Sequence, residues 1–269
     1  MMRLAANLSL MFTEVPLLER FQAAKNAGFE VVEIQFPYVE SIADLVAAKS
    51  AAGVEVCLIN VPADDLMVGG EGLAAVPEKQ AQFVQALSLC AEYANALQVK
   101  MVNVLPGRCL DNARKAQYRD TLISNLSKAA TFFAEHDILV TFEAVNTRDM
   151  PNFIIHNTQQ MLDVMNEVAH DNLKMQFDVY HMQIMDGQVS NSIQQYGHLI
   201  GHIQFADLPG RGEPFTGELS FANIFANIRD SAYHGYVAAE YKPTVVTQNS
   251  LGWMKQLDIA WLAGTARVK

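Results

Sequence analysis

One pattern recurs four times in this chain and constrains its fold more than any other. An apolar, strand-forming run ends, without a turn, on a polar side chain that carries oxygen. The runs span 138–146, 175–180, 201–207 and 236–242, and their polar residues are Glu143, Asp178, Gln204 and Glu240. Such runs are typical of buried strands, and a carboxylate at the end of a buried strand needs a partner. We therefore take Glu143 as the first point of a site and expect the other three beside it.

Strand-like and helix-like segments alternate along the whole chain. Helical periodicity is strongest over 17–27, 78–97, 115–134 and 158–168, and strands are predicted at 4–10, 31–36, 54–59, 100–104, 138–143, 173–178, 202–206 and 236–240. Such alternation is the signature of βαβ units and a parallel sheet. Eight units in 269 residues favour a closed (β/α)₈ barrel of the α/β class. No linker or change of composition divides the chain, so we predict one TIM-barrel domain over residues 1–269.

The segments that follow the strands are long, whereas those that enter them are short. The long ones span 60–77, 105–113, 144–157 and 207–219. They lie on the face where barrels of this type carry their chemistry. We expect a lid over this face, with the glycines of 69–72 as hinges.

Composition and motifs exclude several classes of function. The formal net charge of −10, with 19 Lys and Arg, disfavours a nucleic-acid partner. No apolar stretch is long enough for a membrane span, and no export signal is expected. Three cysteines without CxxC spacing indicate neither disulfides nor a zinc knuckle and favour a reducing cytoplasm. Nucleotide-binding glycine motifs are absent, so no nucleotide cofactor is expected.

Three carboxylates and an amide oxygen form a hard, all-oxygen ligand set. Such a set suits Mg²⁺ or Mn²⁺ better than zinc. A cation would also neutralise carboxylates that otherwise raise one another's pKa. A single strand-terminal acid is more often a cap or an ion-pair partner, but four in successive strands favour a site.

Other polar residues near these strands have two readings each. His181 is as well explained by a hydrogen bond to backbone as by a substrate contact. His202 fits a core histidine, and Glu33 fits a structural pairing. Three cations lie in loops that follow strands, where they could hold an anionic substrate: Arg148, Arg211 and Lys242. Most loop cations, however, are simply solvated.

Together these motifs resemble the hydroxypyruvate isomerase family, within the xylose isomerase-like barrels. The resemblance covers nearly the whole chain, through ANLSLMFTEVPLLERF, GFEVVEIQFPY, FEAVNTRDMPNF, QFDVYHMQ, GHIQFADLPGRGEP with TGEL, and AAEYKP. It implies that Glu143 and Glu240 are the acid/base pair and that both, with Asp178 and Gln204, bind a divalent cation. It also implies that His181 contacts the substrate oxygens.

The implied reaction converts hydroxypyruvate to tartronate semialdehyde (2-hydroxy-3-oxopropanoate), a step of glyoxylate metabolism. A proton leaves one carbon and returns to its neighbour through an enediolate, whose charge a divalent cation stabilises. A 2-oxo-tetronate isomerase or a ketose 3-epimerase would use the same residues, and both stay open. An endonuclease IV-like phosphodiesterase would need several histidine-bound metals and a basic face, and a non-catalytic sugar-binding barrel would have lost one acid. The sequence leaves open the metal, the glutamate that acts first, and whether the chain forms a homo-oligomer.

Overall fold

The computed structural model describes residues 2–257, and every structural statement below concerns those residues. Eight parallel strands form a closed barrel in which each strand pairs with its neighbours in sequence and the last pairs with the first. The strands are β1 (Arg3–Asn7), β2 (Val31–Ile34), β3 (Glu55–Asn60), β4 (Met101–Val104), β5 (Leu139–Glu143), β6 (Leu173–Asp178), β7 (Ile200–Phe205) and β8 (Tyr236–Ala239). The predicted (β/α)₈ barrel is confirmed, and each predicted strand overlaps an observed one.

Helices follow the strands and cover the outside of the barrel. They are α1 (Leu17–Asn26), α2 (Ile42–Ala52), α3 (Gln80–Leu97), α4 (Lys115–Ala134), α5 (Thr158–Val168), α6 (Val179–Met185), α7 (Val189–Tyr196), α8 (Phe221–Asp230), α9 (Thr247–Ser250) and α10 (Trp253–Gln256). Side-chain caps fix several starts; the Ser41 hydroxyl, for example, accepts the Asp44 N–H before α2. None of the described helices is long and apolar enough to cross a bilayer.

Alternate residues of each strand face different surroundings. In β5, Val140 and Phe142 belong to the apolar layer between barrel and helices. Thr141 and Glu143 face the barrel interior, where the Thr141 hydroxyl lies 3.4 Å from Oε1 of Gln176. The interior therefore becomes polar toward the carboxyl ends of the strands, as the two-residue period requires.

The opposite, amino-terminal end of the barrel is closed by packing. A small apolar cluster fills it, made of Ala5, Val31, Cys57, Leu58, Met101 and Ala238. Arg3 pairs with Glu55 and lies over the Tyr236 ring, with its guanidinium carbon 5.7 Å from the ring centre. The polar interior of the barrel therefore opens toward the strand carboxyl ends.

The long loop between β3 and α3 is tied down at the mouth of the barrel. The Glu71 carboxylate accepts hydrogen bonds from the Leu110 N–H (2.8 Å) and the Tyr118 hydroxyl (2.9 Å). The Glu71 carbonyl accepts the Arg108 N–H at 3.0 Å. Gly107 makes this contact possible: its φ is +90°, and a Cβ there would lie 2.3 Å from the Glu71 carbonyl oxygen. The structure thus shows the loop closed, and hinge motion about 69–72 stays a prediction.

Candidate active site

The predicted cluster lies at the carboxyl ends of the last four strands. Glu143, Asp178 and Gln204 belong to β5, β6 and β7, and Glu240 directly follows β8. All four are buried. Beside them is a cavity of about 50 Å³, lined by Gln35, Phe36, Asn60, Met67, Leu105, Glu143, Val145, Met150, Gln176, His181, Arg211 and Glu240. The two predicted acid/base glutamates therefore face one small cavity with one polar and one apolar wall.

Glu240 is held by neutral donors on one oxygen and by a cation on the other. Its Oε1 accepts hydrogen bonds from the side-chain amides of Asn7 (2.9 Å) and Gln35 (2.8 Å). Its Oε2 forms an ion pair with Arg211. Burial raises the pKa of Glu240 to about 8 although the Arg211 charge opposes the shift, and the negative charge of Asp178 adds to it.

Glu143 has amide donors on one oxygen only. Its Oε2 accepts from Gln176 at 2.9 Å and from Asn103 at 3.3 Å. Its Oε1 lies 3.8 Å from Nε2 of His181. Burial, followed by the negative charges of Glu240 and Asp178, raises the pKa of Glu143 well above its usual range. These surroundings therefore favour the neutral form of the Glu143 carboxyl group.

Asp178 caps helix α6 and turns toward the same cluster. Its Oδ1 accepts the Tyr180 N–H at 2.8 Å. Its Oδ2 lies 3.1 Å from the Arg211 guanidinium and 3.4 Å from Nε2 of His181. Burial raises the pKa of Asp178, and Arg211 opposes the shift. Burial and the Arg211 charge hold the pKa of His181 well below its usual range, so its imidazole is neutral.

Gln204 is fixed by a layer of polar side chains deeper in the barrel. Its Nε2 donates to Glu33 at 2.7 Å, and its Oε1 accepts from Gln176 at 2.8 Å. The second oxygen of Glu33 pairs with His202 at 2.5 Å. Because Glu33 takes up the amide nitrogen, the Gln204 carbonyl oxygen is left on the side of Gln176 and the site.

Arg211 is the cation that the structure places among the acids. It lies in the loop after β7, where the Asp207 carboxylate accepts the N–H groups of Gly217 (2.9 Å) and Leu219 (3.1 Å). Its guanidinium carbon stands 5.2 Å from the centre of the Tyr180 ring. Lys242, which we also predicted as a substrate contact, has an exposed side chain and does not line the cavity. Its backbone N–H donates to the Arg211 carbonyl at 2.7 Å, so it supports the position of that residue instead.

Three side chains of the cluster lie close enough together to hold a metal ion. Ligand atoms of Glu143, Asp178 and His181 all lie within 4.8 Å of one another. The pKa values of Glu143, Asp178 and Glu240 are all raised, although Arg211 is close to them. The cluster is therefore short of positive charge, and its oxygen donors are those that Mg²⁺ or Mn²⁺ prefers.

Neutral amides around the site escaped prediction. Besides Gln176, which donates to Glu143, four amides hydrogen-bond the glutamates or His181; they are Asn7, Gln35, Asn103 and Asn146. Asn7 lies on β1, Gln35 directly follows β2, and Asn103 lies on β4. A signal for these three was therefore present in the sequence, as amides near strand ends in the first half of the chain, but it is weaker than that of a buried carboxylate.

The chain forms a closed (β/α)₈ barrel, and the ends of its strands place two buried glutamates at one cavity. This combination is typical of barrel enzymes that act on small molecules. Residues 21–257 match the family of xylose isomerase-like TIM barrels, and the chain belongs to that family.

Relatives that match almost the whole chain narrow this class. Hydroxypyruvate isomerase of Escherichia coli (strain K12) is 39% identical over 254 residues, which is 94% of this chain and 98% of that protein. The 2-oxo-tetronate isomerase of Cupriavidus necator is 38% identical over 255 residues, or 95% of this chain and 98% of that protein. A crystal structure of a Brucella melitensis protein described as AP endonuclease, family 2, superposes with a TM-score of 0.91 at 34% identity, over 95% of this chain and 99% of that one. The predicted resemblance is confirmed, and the chain is an enzyme of the isomerase class.

Proposed function

We propose that this enzyme interconverts hydroxypyruvate and tartronate semialdehyde, with Glu143 and Glu240 as the acid/base pair. The observation that carries the proposal is the pair of buried glutamates facing one cavity, each fixed by side-chain amides. Two carboxylates reaching one small molecule can remove a proton from one carbon and return it to the next.

The size of the cavity supports a small substrate. The cavity is small, about 50 Å³, and its lining combines the two glutamates with apolar side chains. Arg211 lines this space and occupies part of the mouth. A small cavity with a cation in its lining favours a three-carbon or four-carbon acid over a longer sugar.

A divalent cation, Mg²⁺ or Mn²⁺, would be held by Glu143, Asp178, Gln204 and Glu240. When bound, it supplies polarisation of the substrate carbonyl and stabilises negative charge on the enediolate oxygens. It also offsets the like charges that raise the pKa values of these acids, so that both glutamates can act as bases near neutral pH.

The remaining side chains have separate roles in the proposed reaction. Oε1 of Glu143, which the amides of Gln176 and Asn103 leave free, takes or returns the substrate proton. The Arg211 guanidinium binds the carboxylate of the substrate, for which its planar donors are suited. The apolar wall excludes water from the charged intermediate; it is formed by Phe36, Met67, Leu105, Val145 and Met150.

The proposal is tested by incubating the purified protein with hydroxypyruvate and, separately, with 2-oxo-tetronates, and following the products by NMR. We expect tartronate semialdehyde to form and its formation to stop in EDTA. Turnover of the four-carbon acid alone would reassign the enzyme as a 2-oxo-tetronate isomerase, which the relative from Cupriavidus necator supports almost equally.

Two other activities are separated by the same experiment. A ketose 3-epimerase would invert a stereocentre without moving the carbonyl. A phosphodiesterase of the kind named in the Brucella structure would show no carbonyl migration, and the acidic chain and single histidine of the described cluster disfavour it. The cytoplasmic location and the oligomeric state stay predictions.

A further inference from the structure

His181 faces two N–H groups of the same residue. Its Nδ1 lies 3.3 Å from the backbone N of Asn146 and 2.7 Å from the side-chain Nδ2 of Asn146. A backbone N–H can only donate a hydrogen bond. Nδ1 of His181 is therefore the acceptor, and the ring of the neutral imidazole carries its proton on Nε2.

The orientation of the Asn146 amide is fixed independently of the histidine. Its Oδ1 accepts the backbone N–H groups of Arg148 (3.0 Å) and Asp149 (2.8 Å). Its Nδ2 also donates to the Asp149 carboxylate at 3.0 Å, and that carboxylate accepts from the Tyr180 hydroxyl at 2.8 Å. If the amide were flipped, its oxygen would face the Asp149 carboxylate and its NH₂ group would face the N–H groups of Arg148 and Asp149. Each of these contacts would be repulsive, so the flipped orientation is disfavoured.

The proton on Nε2 points into the acidic cluster. Nε2 of His181 lies 3.4 Å from Asp178 Oδ2 and 3.8 Å from Glu143 Oε1. These distances also place His181 among groups that could hold a metal ion. A metal ligand needs a lone pair on Nε2, however, which would move the ring proton to Nδ1 and against the two N–H groups of Asn146. The geometry therefore separates His181 from the oxygen ligands.

We propose that Asn146 is a positioning residue: it holds His181 as the Nε2–H tautomer, and in this form the histidine can make the substrate contact that the family resemblance implies but cannot bind the cation. The role of the donated bond rests on the isomerisation proposed above. A neutral N–H donor aimed at the oxygen that gains charge stabilises the enediolate without exchanging a proton with the glutamates.

The tautomer is read by long-range ¹H–¹⁵N correlation NMR of histidine-labelled protein at one fixed pH. We expect wild type to show a proton on Nε2 and none on Nδ1 of His181, the signal being assigned through its loss in His181→Gln. Asn146→Asp keeps an oxygen for the Arg148 and Asp149 N–H groups but sets a carboxylate oxygen against Nδ1, so a proton should appear there. A ring proton on Nδ1 in wild type would overturn the proposal.

Kinetics distinguishes a positioning role from a merely structural one. Asn146→Asp should lower kcat for isomerisation by about 10²-fold, with a smaller change in KM, because the donor is reoriented. Asn146→Ser keeps the turn and the backbone donor and should restore much of the rate. The matched control is Asn152→Asp, the same chemical change at an exposed position of the same loop, which should leave the rate unchanged. Equal rates for the Asp and Ser variants at 146 would contradict a positioning role.

Mn²⁺ binding to the purified protein, measured by calorimetry, gives a readout that needs no turnover. His181→Gln should change the Kd for Mn²⁺ by less than about threefold, whereas removing a true ligand or its orienting partner costs 10-fold or more. A loss of tenfold or more would return His181 to the ligand set and reject the proposal. The tautomer and Mn²⁺ measurements keep their meaning if hydroxypyruvate is not a substrate, so the two proposals fail separately.

Discussion

Arg211 reaches from the loop after β7 to form an ion pair with Glu240 at the end of β8. The same guanidinium nitrogen is 3.1 Å from Asp178, so it stands between two of the predicted cation ligands. A guanidinium paired with these acids would repel a divalent cation held by the same acids, and burial weakens the screening of that repulsion. The positive charge of Arg211 therefore stabilises the acids when no metal is bound and opposes metal binding.

Removing this charge is expected to strengthen metal binding. Arg211→Met should lower the Kd for Mn²⁺ by about tenfold or more, because one positive charge no longer competes for Asp178 and Glu240. It should at the same time raise KM for an anionic substrate. Calorimetry and steady-state kinetics measure the two effects, with Arg148→Met, at an exposed cation of a neighbouring loop, as the control. Unchanged or weaker Mn²⁺ binding in Arg211→Met would contradict the competition.

Each glutamate is expected to be essential for turnover. Glu143→Gln and Glu240→Gln retain size and an oxygen but cannot carry the migrating proton, so each should lower kcat by at least about 10²-fold. Thermal unfolding should remain cooperative, with Tm at or above that of wild type, because a buried carboxyl group is replaced by a neutral amide. Glu19→Gln, on the exposed face of α1, is the matched control. Near-normal turnover in either variant would remove that glutamate from the mechanism.

Metal affinity is expected to rise with pH. In the metal-free protein the pKa of Glu240 is raised to about 8 and that of Glu143 is raised well above its usual range, so both groups bind protons more tightly than ordinary carboxyls do. A metal ion that binds these carboxylates must displace their protons. The affinity for the metal should therefore fall as the pH decreases below about 8, by up to about tenfold per pH unit for each proton released. Titrations in buffers of different ionisation enthalpy measure the protons released. Release of no proton at pH 7 would show that the glutamates are already ionised.

The raised pKa values of Glu143 and Glu240 also determine whether stability rises or falls with pH. Because the folded protein binds these protons more tightly than the unfolded chain, the metal-free enzyme should lose stability as pH rises from the ordinary carboxyl range, about 4.3, to about 8. Saturating Mg²⁺ or Mn²⁺ should abolish the loss. Urea unfolding at several pH values, with and without EDTA, tests this; stability that increases over that window without metal would reverse the assignment.

The contact between the two long loops is expected to contribute to stability. Gly107→Ala places a methyl group 2.3 Å from the Glu71 carbonyl oxygen at a φ of +90°, so it should destabilise the fold by about 2–3 kcal/mol. Gly53→Ala has a similar left-handed backbone but nothing within 4 Å, and it should cost about 1 kcal/mol. Urea midpoints compare the two variants. Equal costs would show that the loop can shift away from the added methyl group.

The acids of this site could be read from the sequence because strand periodicity is local. Glu143, Asp178 and Glu240 each end an apolar run, and parallel strands bring such ends to one edge without knowledge of any loop. Gln204 was found in the same way, whereas Asn7 and Asn103, which also lie near strand ends, were not predicted. Amides in strands carry a weaker signal, since their burial needs no ion to explain it.

Loop residues were harder to place because loop conformation depends on contacts between distant segments. Arg211 and Lys242 had the same signal in sequence, yet one is buried among the acids and the other is exposed. The carboxylate of Asp207, which ties together its own loop, decides the position of Arg211. The predicted hydrogen bond of His181 to backbone is present, but its partner, the N–H of Asn146, lies 35 residues away; the contact of His181 with substrate stays a prediction.

Asn7 on β1 donates to Glu240 just beyond β8, a contact that joins residues 233 positions apart. The acids come from the last four strands, whereas Asn7, Gln35 and Asn103 come from the first four. During synthesis, the neutral donors thus leave the ribosome before any of the acids that they will hold. An unfinished chain therefore carries these donors before their acceptors exist, and the contact between Asn7 and Glu240 forms only when β8 pairs with β1.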